Sequence, residues 1–342
     1  MKIEIEKSLL NYNTFGIKAK CNKFITLDNK RDFENQEFQQ CISLNEKIFI
    51  LGGGSNILLT KDFNGTFLFP FFKGISIVEE NAENIIIKVG AGENWHEFVT
   101  YSLKENWFGL ENLALIPGHI GATPVQNIGA YGIEVKDFIY QVKAFDLKEK
   151  KFIEFSNTQC NFGYRNSIFK DKENQNRYII YEVYYKLLKK AHPNTNYLGL
   201  KSYFEKDPKP ITPHNIYQAV VEIRRKKLPN PDEVGNAGSF FKNPIISKEV
   251  FRNLKKEYPN IAHYPFENEV KIPAGWLIEN QGWKGRIFEE KNYSYGIHPN
   301  QALVIVNYKN TTGDKIDFLA NRISSNIKNT FNIKLEREVL TL

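Results

Sequence analysis

The segment of this chain with the greatest capacity for chemistry is Ala114-Leu115-Ile116-Pro117-Gly118-His119-Ile120-Gly121-Ala122-Thr123-Pro124-Val125-Gln126-Asn127-Ile128-Gly129-Ala130-Tyr131-Gly132. Its glycines at 118, 121, 129 and 132 let backbone approach a ligand closely, while Pro117 and Pro124 hold the loop's shape. Thr123, Gln126 and Asn127 add donors and acceptors. A structural turn explains a few such residues, but poorly explains a long, small-residue, polar loop bracketed by apolar segments. Two shorter glycine turns, Gly52-Gly53-Gly54-Ser55-Asn56 and Gly90-Ala91-Gly92-Glu93-Asn94-Trp95, present backbone N–H groups able to cradle a phosphate. The first lacks the third glycine of a dinucleotide fingerprint and is followed by no Gly-Lys-Ser/Thr; the second has Trp95 where that glycine would stand.

Other chemistries fail on spacing. His96-Glu97-Phe98-Val99-Thr100 lacks the second histidine of a metalloprotease helix, so His96 reads as a surface or half-buried residue and no metal site is expected. Ser239, in Gly238-Ser239-Phe240-Phe241, breaks the spacing of a nucleophile elbow. It reads as a turn or cap residue, although Asn236, Gly238 and Asn243 leave a polar pocket open to it. Arg224-Arg225-Lys226-Lys227 is the one nucleic-acid candidate. Cations in the last turn of a helix are explained by its dipole, and no aromatic interleaving accompanies them, so no nucleic-acid partner is expected.

Elements to position these loops are legible in the pattern. Met1–Lys7 alternates like a strand. Ile48–Leu51 is a buried strand entering the Gly52–Gly54 turn, and Asn64-Gly65 signals a hairpin between Ile57–Leu59 and Thr66–Phe69. Ile85–Val89 leads through Gly90-Ala91-Gly92 into an amphipathic helix carrying Trp95, Phe98, Val99 and Leu103. Residues 140–190 are strand-rich, at Val142–Phe145 and Tyr178–Tyr185. Pro193, Pro208, Pro210 and Pro213 then mark a flexible loop and linker. Thr212-Pro213 starts a helix with Ile216, Val220 and Ile223 on one face, which Pro229 and Pro231 end. Pro273 opens and Gly282 closes another, Leu303–Val306 is a strand, and Ile316, Leu319, Ile323 and Ile327 stripe the last helix. Phe331–Val339 reads as a final strand.

With 342 residues the chain is long enough for two or three domains with proper cores. Hydrophobic residues at 42% and charged residues at 25% exclude wholesale disorder, and the net charge of +7 suits anionic partners without choosing among them. Cys21, Cys41 and Cys160 are too scattered for a disulfide framework or zinc knuckle, which points to a reducing compartment. The N-terminus lacks a signal peptide's apolar stretch and no run of 18 apolar residues occurs, so a soluble, cytoplasmic protein without membrane insertion is expected.

Taken in order, these segments resemble one family, the UDP-N-acetylenolpyruvoylglucosamine reductases, the MurB flavoenzymes of peptidoglycan precursor synthesis. The likeness runs nearly end to end. It lies in Asn13-Thr14-Phe15, the two short glycine turns, Ile116 through Gly132, Gly163-Tyr164-Arg165-Asn166-Ser167, Gly235 through Pro244, Ala274-Gly275-Trp276-Leu277-Ile278-Glu279 and Leu335-Glu336-Arg337-Glu338-Val339. Arg337 stands where a proline is expected, and Ile120 and Ala122 are local variants.

The resemblance implies an α+β fold, a PCMH-type pair of FAD-binding α/β subdomains with a third, α/β substrate-binding domain. The implied boundaries are 1–70, 71–220 with 331–342, and 221–330. Noncovalent FAD would lie between the first two, touched by Gly52, Gly53, Gly54, Ser55 and Asn56, and by Pro117, Gly118, Gly121, Ala122, Thr123, Gln126, Asn127, Gly129, Ala130 and Tyr131. NADPH would give hydride to the flavin, which passes it to the enolpyruvyl double bond. Arg165 would stabilise the resulting carbanion, a protonated Glu338 would help polarise the substrate, and Ser239 would donate the proton. Tyr164, Tyr197, Lys227, Asn243 and Gln301 would bind substrate, with Tyr197 on a loop at 191–212 that closes over it and Lys227 meeting a diphosphate. Glu336 and Glu338 fall on one face of an alternating strand, so spacing does not choose between them. A monomer is expected. The competing readings are a flavin oxidase on the same fold and a nucleotide-binding module without chemistry. The combination of Arg165, Ser239 and Glu338 favours the reductase.

Overall fold

The run Ile85-Ile86-Ile87-Lys88-Val89 is apolar enough to be covered on both faces, and it forms the strand Asn84–Gly90. The structure, a computed structural model, describes residues 1–43 and 47–342. This strand belongs to an antiparallel sheet ordered Lys151–Ser156, Ile139–Asp146, Tyr178–Leu188, Asn84–Gly90, Ile75–Glu80. The helix Trp95–Lys104 follows the glycine turn and buries Trp95, Phe98, Val99 and Leu103. Asn94 caps it, its side chain accepting from the Glu97 N–H at 3.0 Å. Helix Pro213–Lys227 adds Ile216, Ala219 and Val220 to the same core.

A second sheet is ordered Lys2–Ser8, Lys20–Leu27, Phe63–Pro70, Ile48–Ile50. Asn64-Gly65 is not its hairpin turn. Phe63–Pro70 runs straight through that dipeptide, because Ile48–Ile50 pairs in parallel with Thr66–Leu68, while Ile57–Leu58 pairs in parallel with Leu340–Thr341. The proline-punctuated segment also differs from expectation. It contains the helix Leu198–Lys206, which Leu200 and Phe204 anchor to the core.

Packing divides the chain into two units. One holds 1–7, 21–53 and 64–224; the other holds 8–20, 54–63 and 225–342. By packing, residues 331–342 group with 225–330. In the second unit a sheet ordered Gly235–Ser239, Val304–Lys309, Tyr293–Ile297, Ile287–Glu290 is covered by the helix Gly313–Phe331. That helix buries Ile316, Leu319, Ile323 and Ile327, and also packs on Ala274–Asn280. It continues through Phe331, so the expected strand from 331 to 339 is absent. Its remainder is irregular, with a single bridge from Arg337 to Phe241 before Leu340–Thr341.

Candidate functional site

The expected site residues fall in both units. In the first, the glycine turn after Ile48–Ile50 meets the long loop with backbone against backbone. A Cβ built on Gly53 would lie 2.7 Å from Gly118 Cα, and one on Gly52 would lie 3.1 Å from Ala122 Cβ. Gly118 has φ +119°, a conformation open to glycine, and its carbonyl accepts from the Trp95 N–H at 3.0 Å. The amides of Ile120 and Gly121 donate to the carbonyls of Glu93 and Ala91, each at 2.9 Å. The second glycine turn therefore props the long loop, which leaves the 52–53 and 118–122 backbones as paired walls.

Beyond these walls, several polar side chains of the loop serve its framework. Thr123 Oγ1 donates to the Ile120 carbonyl at 2.8 Å and shares a 2.6 Å hydrogen bond with Tyr185, a phenol whose pKa burial raises. Asn127, fully buried at φ +42°, donates to the Gly163 carbonyl at 2.8 Å and to Glu134 at 3.2 Å. Its oxygen accepts from Lys136 N–H at 3.2 Å. These bonds of Thr123 and Asn127 set the loop's shape. Gln126 accepts from Lys170 Nζ at 3.2 Å. Gly129-Ala130 pairs with Ile133-Glu134 as a two-residue hairpin.

Arg165 joins this loop directly. Its guanidinium lies over the Tyr164 ring at 5.3 Å and donates to the Gly129 carbonyl and, at 3.4 Å, to that of Asn127. A Cβ on Gly129 would come within 2.8 Å of Arg165 Nη1, so glycine there lets the arginine reach the loop. Tyr197, at the start of Leu198–Lys206, sets its ring edge-on to Tyr131 at 5.4 Å.

Three residues of this unit escaped sequence reasoning. His119 Nδ1 is buried and has no hydrogen-bond partner among the described residues. Burial, and then Lys73, push its imidazole down to about 4, so it is neutral near pH 7. Arg224 turns inward, its Nε donating to the Leu115 carbonyl at 3.2 Å; burial lowers its pKa, opposed by Tyr131. It had been read with its basic neighbours as a response to the helix dipole. Its spacing from Ile216 and Val220, at i+8 and i+4, placed it on the apolar face and was the usable signal. Asn112 is the third, buried beneath Tyr131.

In the second unit, Ser239 ends the strand Gly235–Ser239, opposite Val304. Gly238 before it has φ +66° and donates its N–H to Asn236 Oδ1 at 2.9 Å. The Phe240 carbonyl accepts from Glu338 N–H at 2.9 Å, so Ser239 and Glu338 are brought onto neighbouring stretches of backbone. Asn56 fixes the same stretch, donating through Nδ2 to the Glu338 carbonyl at 3.1 Å and accepting from Leu340 N–H at 3.1 Å. The two glutamates are now distinct. Glu336 is exposed and ion-paired to Lys242 at 2.5 Å, whereas Glu338 is half-buried. Arg337 is held by Asp317, by Asn321 at 2.9 Å and by Thr341 at 2.7 Å, which occupies the departure from the expected proline with a local network.

The remaining expected substrate residues are spread over this unit. Asn243 Oδ1 accepts from the Ala274 N–H at 2.9 Å, capping Ala274–Asn280. Gln301 Oε1 lies 3.4 Å from where a Gly275 Cβ would sit. Lys227, the last residue of Pro213–Lys227, is exposed and makes no hydrogen bond or ion pair among the described residues. No cluster able to hold a metal occurs among the described residues, nor does a helix long and apolar enough to cross a membrane.

Comparison with known proteins gives the family and the fold. Residues 230–342 match the family model for the C-terminal domain of UDP-N-acetylenolpyruvoylglucosamine reductase, and residues 36–153 match that for an FAD binding domain. The chain is 45% identical to the UDP-N-acetylenolpyruvoylglucosamine reductase of Flavobacterium johnsoniae, with 99% of each covered. It is 39% identical to that of Bdellovibrio bacteriovorus, again with 99% of each covered. The crystal structure of the Thermus caldophilus reductase superposes with a TM-score of 0.65 at 20% identity, over 99% of this chain and 98% of that one. That superposition gives the fold as the α+β, PCMH-type arrangement.

Proposed function

The chain belongs to the UDP-N-acetylenolpyruvoylglucosamine reductase family, and on that premise we propose that it reduces UDP-N-acetylglucosamine enolpyruvate to UDP-N-acetylmuramate at the expense of NADPH. The observation that carries the reading is the approach of Gly53 to Gly118, where even one Cβ would collide with backbone at 2.7 Å. Paired walls of bare backbone suit an extended, anionic cofactor that needs N–H donors at close range. The residues present therefore fit FAD. Gly52, Gly53, Gly118, Gly121 and Ala122 would hold it, with Tyr131 beyond them; Gly54, Ser55 and Asn56 continue the same turn. When bound, FAD supplies the ability to accept a hydride from NADPH and to deliver one to a carbon–carbon double bond.

Reduction of the enolpyruvyl group adds a hydride and a proton across its double bond, so the chain must stabilise negative charge beside the carboxylate and then deliver a proton. Arg165 is fit for the first task because it is always charged and is held against the Gly129 carbonyl and the Tyr164 ring. Ser239 supplies the proton. Its neighbour's carbonyl fixes the Glu338 backbone at 2.9 Å, which keeps that carboxyl on the adjacent stretch to polarise the substrate. Lys227 offers an uncompensated charge for the diphosphate, and Tyr197, Tyr164, Asn243 and Gln301 complete substrate recognition. On the same reading, 1–70 and 71–220 with 331–342 would bind FAD, and 221–330 would carry substrate.

The protein works as a monomer in the cytoplasm. All three cysteines are buried and form no disulfide, with the Cys160 thiol pushed up to about 12 by burial, as suits a reducing compartment. Purified protein supplied with both substrates should consume NADPH only when the enolpyruvyl sugar nucleotide is present, and yield a product two hydrogens heavier. NADPH oxidation at the same rate with oxygen alone would favour the oxidase, and absence of bound flavin would favour the binding module.

A further inference from the structure

We propose that Asn112 is a positioning residue that couples the seating of FAD to the pose of the tyrosine loop; the inference rests on the functional reading above. Asn112 is 2% exposed, and its side-chain nitrogen donates at 3.0 Å to the carbonyl of Tyr131 and at 3.0 Å to that of Asn194. A primary amide has two N–H groups, so this one nitrogen has its full donor capacity placed on two segments 63 residues apart (194 − 131). One segment ends the long glycine loop; the other begins the loop that carries Tyr197.

The platform beneath Asn112 is firm. It sits in the short helical turn Glu111–Leu113, whose residues are buried, and the Glu111 carboxylate accepts from the Gly109 N–H at 2.7 Å. What it holds is less firmly placed. Ala191 to Pro193 and Asn196 to Leu198 are exposed, and the next buried anchor is Leu200. Tyr131, by contrast, is held in the left-handed region at φ +50°, a conformation unfavourable for a non-glycine residue. Its ring meets Tyr197 edge-on at 5.4 Å, and a Cβ on Gly132 would lie 3.7 Å from that of Tyr197. A shift of the Tyr131 carbonyl on loading or loss of FAD must therefore either drag Asn194 or break one of two buried hydrogen bonds. Coupling of this kind is reciprocal. FAD stabilises the seated loop, and the seated loop stabilises FAD by the same factor.

A structural asparagine that merely satisfies two carbonyls would not make loop order depend on FAD, which gives the test. Full-length protein, with and without FAD, is digested briefly with trypsin, and cleavage after the exposed Lys189, Lys190 and Lys201 is followed by mass spectrometry. FAD should slow these cuts about 5- to 20-fold in the native protein, in the usual range for coupled sites. In Asn112→Ala, and in Asn112→Leu, which keeps the shape but has no donors, the protection should fall below about twofold. Both variants should raise KM for the sugar nucleotide about tenfold while NADPH still reduces the flavin at the native rate. Equal FAD protection in the native protein and a folded variant would overturn the coupling, as would FAD binding without any protection. A protein that binds no FAD would sink the functional reading as well, and the two failures are told apart by the flavin content of the same samples. If the alanine variant does not fold, the leucine variant decides.

Discussion

Replacing Gly53 with alanine adds one methyl group where the structure has no room for it. The new Cβ would stand 2.7 Å from Gly118 Cα, 3.2 Å from Gly118 C and 3.3 Å from His119 N. All three atoms are backbone, so no rotamer change relieves the contact. Bringing 2.7 Å to the 3.4 Å of ordinary van der Waals contact requires the two walls to part by about 0.7 Å. The 118–122 wall resists, because Gly118, Ile120 and Gly121 are hydrogen-bonded to Trp95, Glu93 and Ala91. Overpacking of this kind costs about 1–3 kcal/mol. Taken from FAD binding, that is a loss of roughly 5- to 150-fold in affinity. Titrating apoprotein with FAD and following flavin fluorescence measures it. Gly163→Ala is the control, since its Cβ meets only Asn166 Cβ at 3.7 Å and should leave Kd within about twofold. Unchanged FAD affinity in Gly53→Ala would mean that these walls do not hold the cofactor.

His119 makes stability sensitive to acid. Its native pKa lies near 4 against an ordinary 6.5, so between these values the unfolded chain binds a proton the native one does not, and stability falls as pH drops through that window. Relative to His119→Gln, the native protein should lose about 2 kcal/mol between pH 7 and pH 5, read by urea unfolding; parallel pH profiles would refute the burial. Lys227→Ala should raise KM for the sugar nucleotide about tenfold or more without changing flavin content, and Tyr197→Phe should act in the same sense but more weakly; loss of FAD from either would reverse the division of labour. Glu338→Gln should slow turnover by about 100-fold or more, while Glu336→Gln, which loses only an exposed pair with Lys242, should stay within about threefold; the opposite ranking would exchange their roles.

Much of the fold was legible because burial imposes a period. Trp95, Phe98, Val99 and Leu103, and later Ile316, Leu319, Ile323 and Ile327, name their helices by spacing and are all buried. Local signals failed where distant partners decide. Asn64-Gly65 is a good turn dipeptide, but Ile48–Ile50 and Leu340–Thr341 claim the strands on either side of it. Residues 331–339 alternate like a strand, yet Phe331 completes the helix by packing near Trp276 and Tyr258. At the candidate site, glycines could be read because their need for close approach is written in the residue type. The partners of polar residues could not: no sequence signal tells that Thr123 bonds Tyr185 or that Asn127 bonds the Gly163 carbonyl. Asn112 carries no motif of its own, and the basic run that Arg224 begins masks its place on the apolar face.

The most direct test of the proposed chemistry separates the two halves of turnover in Ser239→Ala. Ser239 acts only after hydride has reached the enolpyruvyl carbon, so NADPH should bleach the flavin absorbance of the variant at close to the native rate. Restoration of that absorbance by UDP-N-acetylglucosamine enolpyruvate, followed anaerobically by stopped flow, should be slower by about 10²- to 10⁴-fold, the usual contribution of a positioned proton donor. Equal slowing of both halves would make Ser239 part of the flavin site, and a native rate of restoration would remove it from the chemistry.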